Sequence, residues 1–324
     1  MSFWKNRRVF VTGCSGLIGG SLCKMLLDEG AKVTGLDLRF PGTLEDYGIA
    51  DDVGCMTEDI TSRVTNLELL NAEVVFHLAA NSGVEQSRIA ERHAWDVNVT
   101  GTLNILSHCR PSMGAVLVAS SNHVYGRQDH DGPVKEDAPL RQLDTYSATK
   151  ICADVMAQSY AHNYGIKTVV ARPTNCFGPY DPHTDHIVPG TILSLLNDER
   201  PVIRGDGLTR KSYMYVDDTS RALMLLAQHT AESDEKGEVY NIANDKRIAV
   251  VDMVKIIAIV TAGVLNGPKV PYTPVILRGR NDQTDEWLDW SKIKALGWEP
   301  QVSLEDGLAN TIAVFRERQK AVVV

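Results

Sequence analysis

A doubly wound α/β fold, a parallel sheet with helices on both faces plus a smaller, mainly helical lobe, is what this sequence predicts. Three observations carry that expectation. Short runs rich in β-branched residues alternate with helical stretches up to Arg172, the rhythm of right-handed crossovers between parallel strands. A glycine-rich turn joins the first run to the first helix. After Arg172 the rhythm changes: proline and glycine punctuate Pro173 to Pro189, and the chain beyond Val251 reads as mainly helical.

Taken in order, Arg8-Val9-Phe10-Val11-Thr12 is a short apolar run of the kind buried on both faces of a parallel sheet. Ser21 to Glu29 carries apolar residues at helical spacing and stops at Gly30. Ala31 to Leu38 reads as the second strand, and Val74 to Leu78, Ala115 to Ser120 and Thr168 to Arg172 repeat the pattern, each after a helical stretch. Residues 1–172 and about 213–246 are thus expected to form a Rossmann-type domain, with the second lobe built from 173–212 and about 247–324. A lobe inserted in this way opens a cleft at the carboxyl ends of the strands, where open α/β sheets bind ligands.

Composition narrows the partners. With 33 basic against 41 acidic residues the net charge is −8, which gives no support to a nucleic-acid or membrane-surface partner, since each wants a basic patch. Six scattered cysteines show no CxxC pair and no metal-ligand spacing, so they read as reduced thiols without a metal. No signal peptide opens the chain and no apolar run approaches a membrane span; a cytoplasmic compartment is expected.

The glycine turn is Gly13-Cys14-Ser15-Gly16-Leu17-Ile18-Gly19, a GxxGxxG between strand and helix. Its glycines let backbone N–H groups approach a pyrophosphate, whose charge the helix N-terminus favours. Asp37 ends the second strand 24 residues after Gly13. A carboxylate there would accept both ribose hydroxyls and repel a 2′-phosphate, favouring NAD over NADP, although Arg39 nearby could soften the preference. Further along, Tyr146 and Lys150 open a helix at spacing i, i+4 and project from one face. The lysine ammonium is expected to lower the phenol pKa and ease proton abstraction from a hydroxyl. Ser120-Ser121 ends a strand upstream, where a hydroxyl could bond the substrate oxygen.

In order and spacing these residues resemble the extended short-chain dehydrogenase/reductase family, specifically its nucleotide-sugar epimerases and dehydratases. The match continues through Asp59-Ile60, His77-Leu78-Ala79-Ala80, Asn98-Val99-x-Gly-Thr102-x-Asn104, Ser121 before Val124-Tyr125-Gly126, Arg172-Pro173-x-Asn175-x-Phe177-Gly178-Pro179 and Gly205-Asp206-Gly207 before Tyr215-Val216-Asp217-Asp218. The resemblance implies a catalytic set of Ser121, Tyr146 and Lys150. It implies NAD held by the glycine turn (Ser15, Leu17 and Ile18 included), by Asp37, Leu38 and Arg39, by Asp59 and Ile60 at the adenine, and by Leu78, Ala79 and Ala80 beneath it. Asn98, Ser120, Tyr146, Lys150 and Pro173 complete that set. It places Asn122, Asn175 and Val188 near a nucleotide-diphosphate sugar, and puts a basic residue after Gly205-Asp206-Gly207 on the diphosphate. Here the family's arginine position falls on Lys211, beside Arg210, with Ser212 where an aspartate is usual; either cation could serve. Arg278 and Arg280 resemble the last phosphate-binding segment. Alternatively these four are solvated surface charges. The helices from about Val99 to Cys109 and from Thr145 to Tyr164 resemble the pair that makes a homodimer interface in the family.

Oxidation at the sugar C4 is common to several outcomes. A 4,6-dehydratase must also remove the C5 proton and protonate the departing C6 hydroxyl, so it needs an acid/base pair after Ser121. The residues there are Asn122 and His123. Asn cannot donate a proton as a carboxylic acid does, whereas His123 could act as a base or simply position substrate. A UDP-glucose 4-epimerase-like activity is therefore favoured, with a CDP- or dTDP-glucose 4,6-dehydratase-like one as the alternative. For the alternative speaks the opening Phe3-Trp4-Lys5-x-Arg7-Arg8, which resembles CDP-glucose 4,6-dehydratases. Ser-Asn-His also resembles hexuronate dehydrogenases, but those lack a large second lobe. A non-catalytic nucleotide sensor would usually have lost Tyr146 or Lys150.

Overall fold

The computed structural model describes residues 2–62, 71–129, 131–265, 273–277 and 285–322. Seven parallel strands form the central sheet: β1 (Arg8–Thr12), β2 (Lys32–Asp37), β3 (Gly54–Thr57), β4 (Val74–His77), β5 (Ala115–Ala119), β6 (Thr168–Pro173) and β11 (Glu238–Ile242). Their spatial order is β11-β6-β5-β4-β1-β2-β3. The sequence direction reverses between β1 and β4, the switch point where crossover connections diverge and leave a crevice.

Both faces of this sheet are buried, which is why its strands are apolar without alternation. Alternate residues sort onto two cores. Val9, Val11, Val74, Phe76, Leu117 and Val169 pack with Leu22 and Leu26 of α1 (Leu17–Asp28) and with Leu223 and Leu226 further along the chain. Phe10, Val75, Val116, Val118 and Val170 face the other way, onto Ile105 and Leu106 of α2 (Thr102–His108) and Ala157 of α3 (Thr145–Tyr164). Helix α3 starts where the sequence dictates. Asp144 caps it by accepting from Ser147 N at 2.8 Å, and Ser147 Oγ accepts in turn from Asp144 N at 3.1 Å.

A third core lies in the second lobe. It joins Ile192 and Leu195 of α4 (Ile187–Leu196), Met253 and Ile257 of α6 (Val250–Leu265), and Leu308 and Ile312 of α7 (Leu304–Val322). Three two-stranded ladders frame it: β7 (Asn175–Phe177) with β10 (Tyr213–Tyr215), β9 (Arg210–Lys211) with β12 (Ile248–Ala249), and β8 (Val202–Arg204) with β13 (Val275–Leu277). Helix α5 (Val216–Glu232) returns to the first core, and so do Leu288, Trp290, Ile293 and Trp298. Among the described residues no helix is long and apolar enough to cross a membrane.

Candidate active site

Three loops meet at the carboxyl edge beside the switch point: the glycine turn after β1, Leu78–Ala80 after β4, and Ser120–Ser121 after β5. Gly13 adopts φ +71°, and a Cβ on it would lie 2.7 Å from Ala79 N. Gly19 packs so tightly beneath the turn that a Cβ would stand well inside contact with Gly13 O. Only glycine permits this close approach. The fit to a dinucleotide is the one the sequence suggests: a bare backbone turn opens α1, and Asp37 stands at its rim. Asp37 Oδ2 accepts from Ser15 N at 3.0 Å and Oδ1 from Arg39 N at 3.1 Å, leaving each oxygen a further lone pair for a ribose hydroxyl. Leu38 and the Arg39 side chain are exposed beside it, while Ile60 is buried and Asp59 turns to accept from Thr61 N.

The catalytic candidates converge. The Ser121 hydroxyl lies close enough to the Tyr146 phenol to act on its pKa, and the His123 ring stands edge-on to the Tyr146 ring at 5.7 Å between centroids. Lys150 is buried and its ammonium donates to Ala119 O. Burial lowers the Lys150 pKa to about 8. The Tyr146 phenol, however, is pushed above its ordinary range by burial, and what pulls it back is the Ser121 hydroxyl rather than the lysine ammonium. Burial, rather than the expected lysine–phenol coupling, is thus the dominant effect on Tyr146 here. Ser121 also donates to Asn122 Oδ1 at 3.2 Å. Ser120 Oγ and Asn122 Nδ2 are buried with no partner, and buried polar atoms seldom stay unpaired. Both lie where a ligand is expected.

Some predicted residues prove to be braces. Asn98 sits in a π-helical turn, Asp96–Gly101, a deformation that often marks functional sites. Its amide accepts from Asn81 N at 2.8 Å and donates to Asn81 O at 3.1 Å and Thr149 Oγ1 at 2.9 Å. All of its donors are used inside the protein, so it holds the Tyr146/Lys150 turn in place. His77 likewise bridges Thr12 and Thr102, at 2.7 and 2.9 Å, and burial takes its pKa down to about 3. Arg172 is buried at 2% exposure against Asp154 at 0%, a bidentate pair at 2.8 and 3.0 Å that ties β6 to α3. Pro173 follows it, at the end of β6.

On the substrate side the geometry separates the two cations. Successive residues of a strand face opposite ways: the Lys211 side chain is 11% exposed and Arg210 57%. Lys211 is therefore the pocket residue. It pairs at 3.2 Å with Glu286, a residue the sequence reading missed. Asn175 donates to the same carboxylate, and His123 Nε2 lies 3.9 Å from it. Burial lowers the His123 pKa, with Glu286 acting in the opposite sense. Val188 is buried in the third core. Arg278 and Arg280 lie outside the described residues. Among those described, His183, Asp185 and His186 bring ligand-type atoms within 4.8 Å of one another. They stand at the N-terminal end of α4, where His186 Nδ1 lies 3.1 Å from the Asp181 carboxylate and the neighbouring Asp181 and Asp185 outweigh burial to raise the His186 pKa.

Comparison with known proteins agrees with this architecture. Residues 9–243 match the model of the NAD dependent epimerase/dehydratase family. The low-salt glycan biosynthesis protein Agl12 of Haloferax volcanii is 32% identical over 307 residues, covering 93% of this chain and 96% of its own. The dTDP-glucose 4,6-dehydratase of Streptomyces venezuelae, solved with NAD, superposes with a TM-score of 0.86 at 27% identity, covering 97% of this chain and 98% of that one. The UDP-glucuronic acid 4-epimerase of Bacillus cereus, solved with UDP-glucuronic acid and NAD, gives 0.85 at 26%, covering 96% and 99%. The chain belongs to the NAD dependent epimerase/dehydratase family and is an NAD-dependent enzyme of nucleotide-sugar chemistry.

Proposed function

We propose that the chain is a nucleotide-sugar 4-epimerase working through transient oxidation at C4, with Ser121, Tyr146 and Lys150 as its catalytic set. The observation that carries this is the convergence of the Ser121 hydroxyl and the Tyr146 phenol with Lys150 at the carboxyl end of β5. Tyr146 Oη, as the phenolate, takes the proton of the C4 hydroxyl and returns it when the hydrogen comes back to C4, while Ser121 hydrogen-bonds the same oxygen. The glycine turn and Asp37 would hold NAD, which would supply the acceptor and then the donor of the C4 hydride. Lys150 holds positive charge beneath the phenol, and the braces through Asn98 and Arg172 fix the helix that carries both. Lys211 and Asn175 face the sugar diphosphate. Asn122 cannot act as an acid, which disfavours loss of the C6 hydroxyl. Incubating a panel of UDP-, CDP-, GDP- and dTDP-sugars and following products by mass spectrometry and NMR tests this. A product of unchanged mass with an inverted stereocentre is expected; loss of water instead would identify a dehydratase.

The dehydratase reading gains one specific support. His123 lies 3.9 Å from the Glu286 carboxylate, so an imidazole and a carboxylate stand together where a C5 proton could be handled. The absence of a carboxylic acid beside Ser121 is thus less decisive than the sequence alone makes it.

NAD is expected to sit with its adenosine ribose on Asp37. Asp37→Ala should weaken NAD binding and relax discrimination against NADP. Calorimetry checks it: equal affinity of the unmutated protein for both cofactors would contradict the assignment. We further propose a homodimer in the cytoplasm, paired through α2 and α3, whose Leu103 and Val155 are 44% and 50% exposed, apolar area that a second copy would cover.

A further inference from the structure

The Glu286 carboxylate meets three residues assigned to the site, Asn175, Lys211 and His123. It accepts from Asn175, pairs with Lys211 at 3.2 Å and lies 3.9 Å from His123 Nε2. His123 in turn stands against Tyr146, 5.7 Å between ring centres. His123 thus neighbours both the proton-accepting Tyr146 and Glu286. The carboxylate is fixed from behind. Its backbone N donates to Arg210 O at 2.9 Å, Arg210 N donates to Asp285 Oδ1 at 2.8 Å, and Val134 N donates to Trp287 O at 2.7 Å. Arg247 stacks on Trp287 at 4.0 Å. Backbone bonds on both sides of Glu286 thus anchor its main chain at this edge of the site.

Resting on the nucleotide-sugar reading, we infer that Glu286 makes this site selective for nucleotide-linked sugars that carry no charge on the sugar, and excludes nucleotide-linked uronic acids. Lys211 neutralises Glu286 only while no substrate is bound. A diphosphate brings negative charge, and among the described residues Lys211 is the inward-facing cation beside Glu286 that can meet it, since Arg210 turns outward. Glu286 then faces the sugar with its charge uncompensated. Toward a neutral hexose it accepts hydroxyl hydrogen bonds, which are strengthened by the ionised acceptor. Toward a C6 carboxylate it is a like charge at short range, an arrangement that discriminates strongly between ligands. The contrast matters because the same fold accommodates UDP-glucuronic acid in the Bacillus cereus 4-epimerase.

The experiment uses the NAD-loaded protein. Calorimetry with UDP, CDP, GDP and dTDP selects the nucleotide, and the glucose and glucuronate esters of that nucleotide are then titrated. The native protein should bind the glucose ester at least about tenfold more tightly than the glucuronate ester. Glu286→Gln, an isosteric neutral change, should shrink that ratio by about tenfold, mainly through a gain for the glucuronate ester, while Glu286→Asp should largely preserve it. Retained NAD affinity shows that each variant has folded. Equal or tighter binding of the glucuronate ester by the native protein, or a ratio unmoved in Glu286→Gln, overturns the role given to Glu286 and leaves the nucleotide-sugar reading standing. If none of the four nucleotides or their glucose esters binds, the nucleotide-sugar reading falls, and this inference with it.

Discussion

Tyr146→Phe should lower turnover by about 10²–10⁴-fold while leaving the fold and NAD affinity intact. The substitution removes one oxygen from a side chain that is otherwise held by its helix and by packing. Among the described residues that oxygen is the phenolic group beside the Ser121 hydroxyl, and it is the destination proposed for the proton of the sugar hydroxyl. Lys150 is committed to Ala119 O, and His123 lies on the far side of the ring, toward Glu286. Steady-state rates with a turned-over nucleotide sugar, alongside circular dichroism and cofactor titration, measure the effect. A variant that kept more than about a tenth of the native rate would remove Tyr146 from the proton path.

Arg172→Ala should cost the protein about 3–5 kcal/mol of stability, read as a fall in the urea midpoint. The guanidinium is buried and bonds Asp154 through two nitrogens, at 2.8 and 3.0 Å; it also donates to Tyr125 Oη at 2.8 Å and Glu136 O at 2.9 Å. Truncation leaves the fully buried Asp154 carboxylate without its cation, and an uncompensated buried charge is expensive whatever the worth of the intact pair. Replacing both partners by apolar residues, as in Arg172→Met with Asp154→Leu, should recover much of the loss for the same reason. A single variant less than about 1 kcal/mol below the native protein would mean that water reaches Asp154. Asp154 lies one helical turn beyond Lys150 and raises that ammonium's pKa against the effect of burial. The pair is therefore structural support for the catalytic turn.

Much of this was legible in the sequence because it depends on short-range pattern. The strands β1, β4, β5 and β6 are continuous apolar runs, and a parallel strand buried on both faces has no other way to be written. Gly13 and Gly19 declare the close approach they permit, and Tyr146 and Lys150 declare a shared helix face. What was hidden depends on long-range contact. Glu286 is remote in sequence from every residue it touches, and its neighbourhood Asp285-Glu286-Trp287 reads as ordinary surface charge. The choice between Arg210 and Lys211 turns on which face of a two-residue ladder meets the pocket. Asn98 was assigned to the cofactor by motif, but its amide is consumed by Asn81 and Thr149. The pKa of Tyr146 follows from burial and from Ser121, neither of which a spacing of i, i+4 reports.

The central claim is that the C4 hydrogen leaves and returns without any ring carbon exchanging with solvent, and conversion in D₂O tests it most directly. The nucleotide sugar that turns over is incubated to equilibrium in D₂O, and the sugar carbons of the product are read by NMR and mass spectrometry. The C4 hydrogen travels as hydride and never mixes with water, while Tyr146 exchanges only the hydroxyl proton. The account predicts inversion at C4 with no deuterium on any ring carbon. Deuterium at C5 would contradict it, and would assign His123 and Glu286 to proton removal at that carbon.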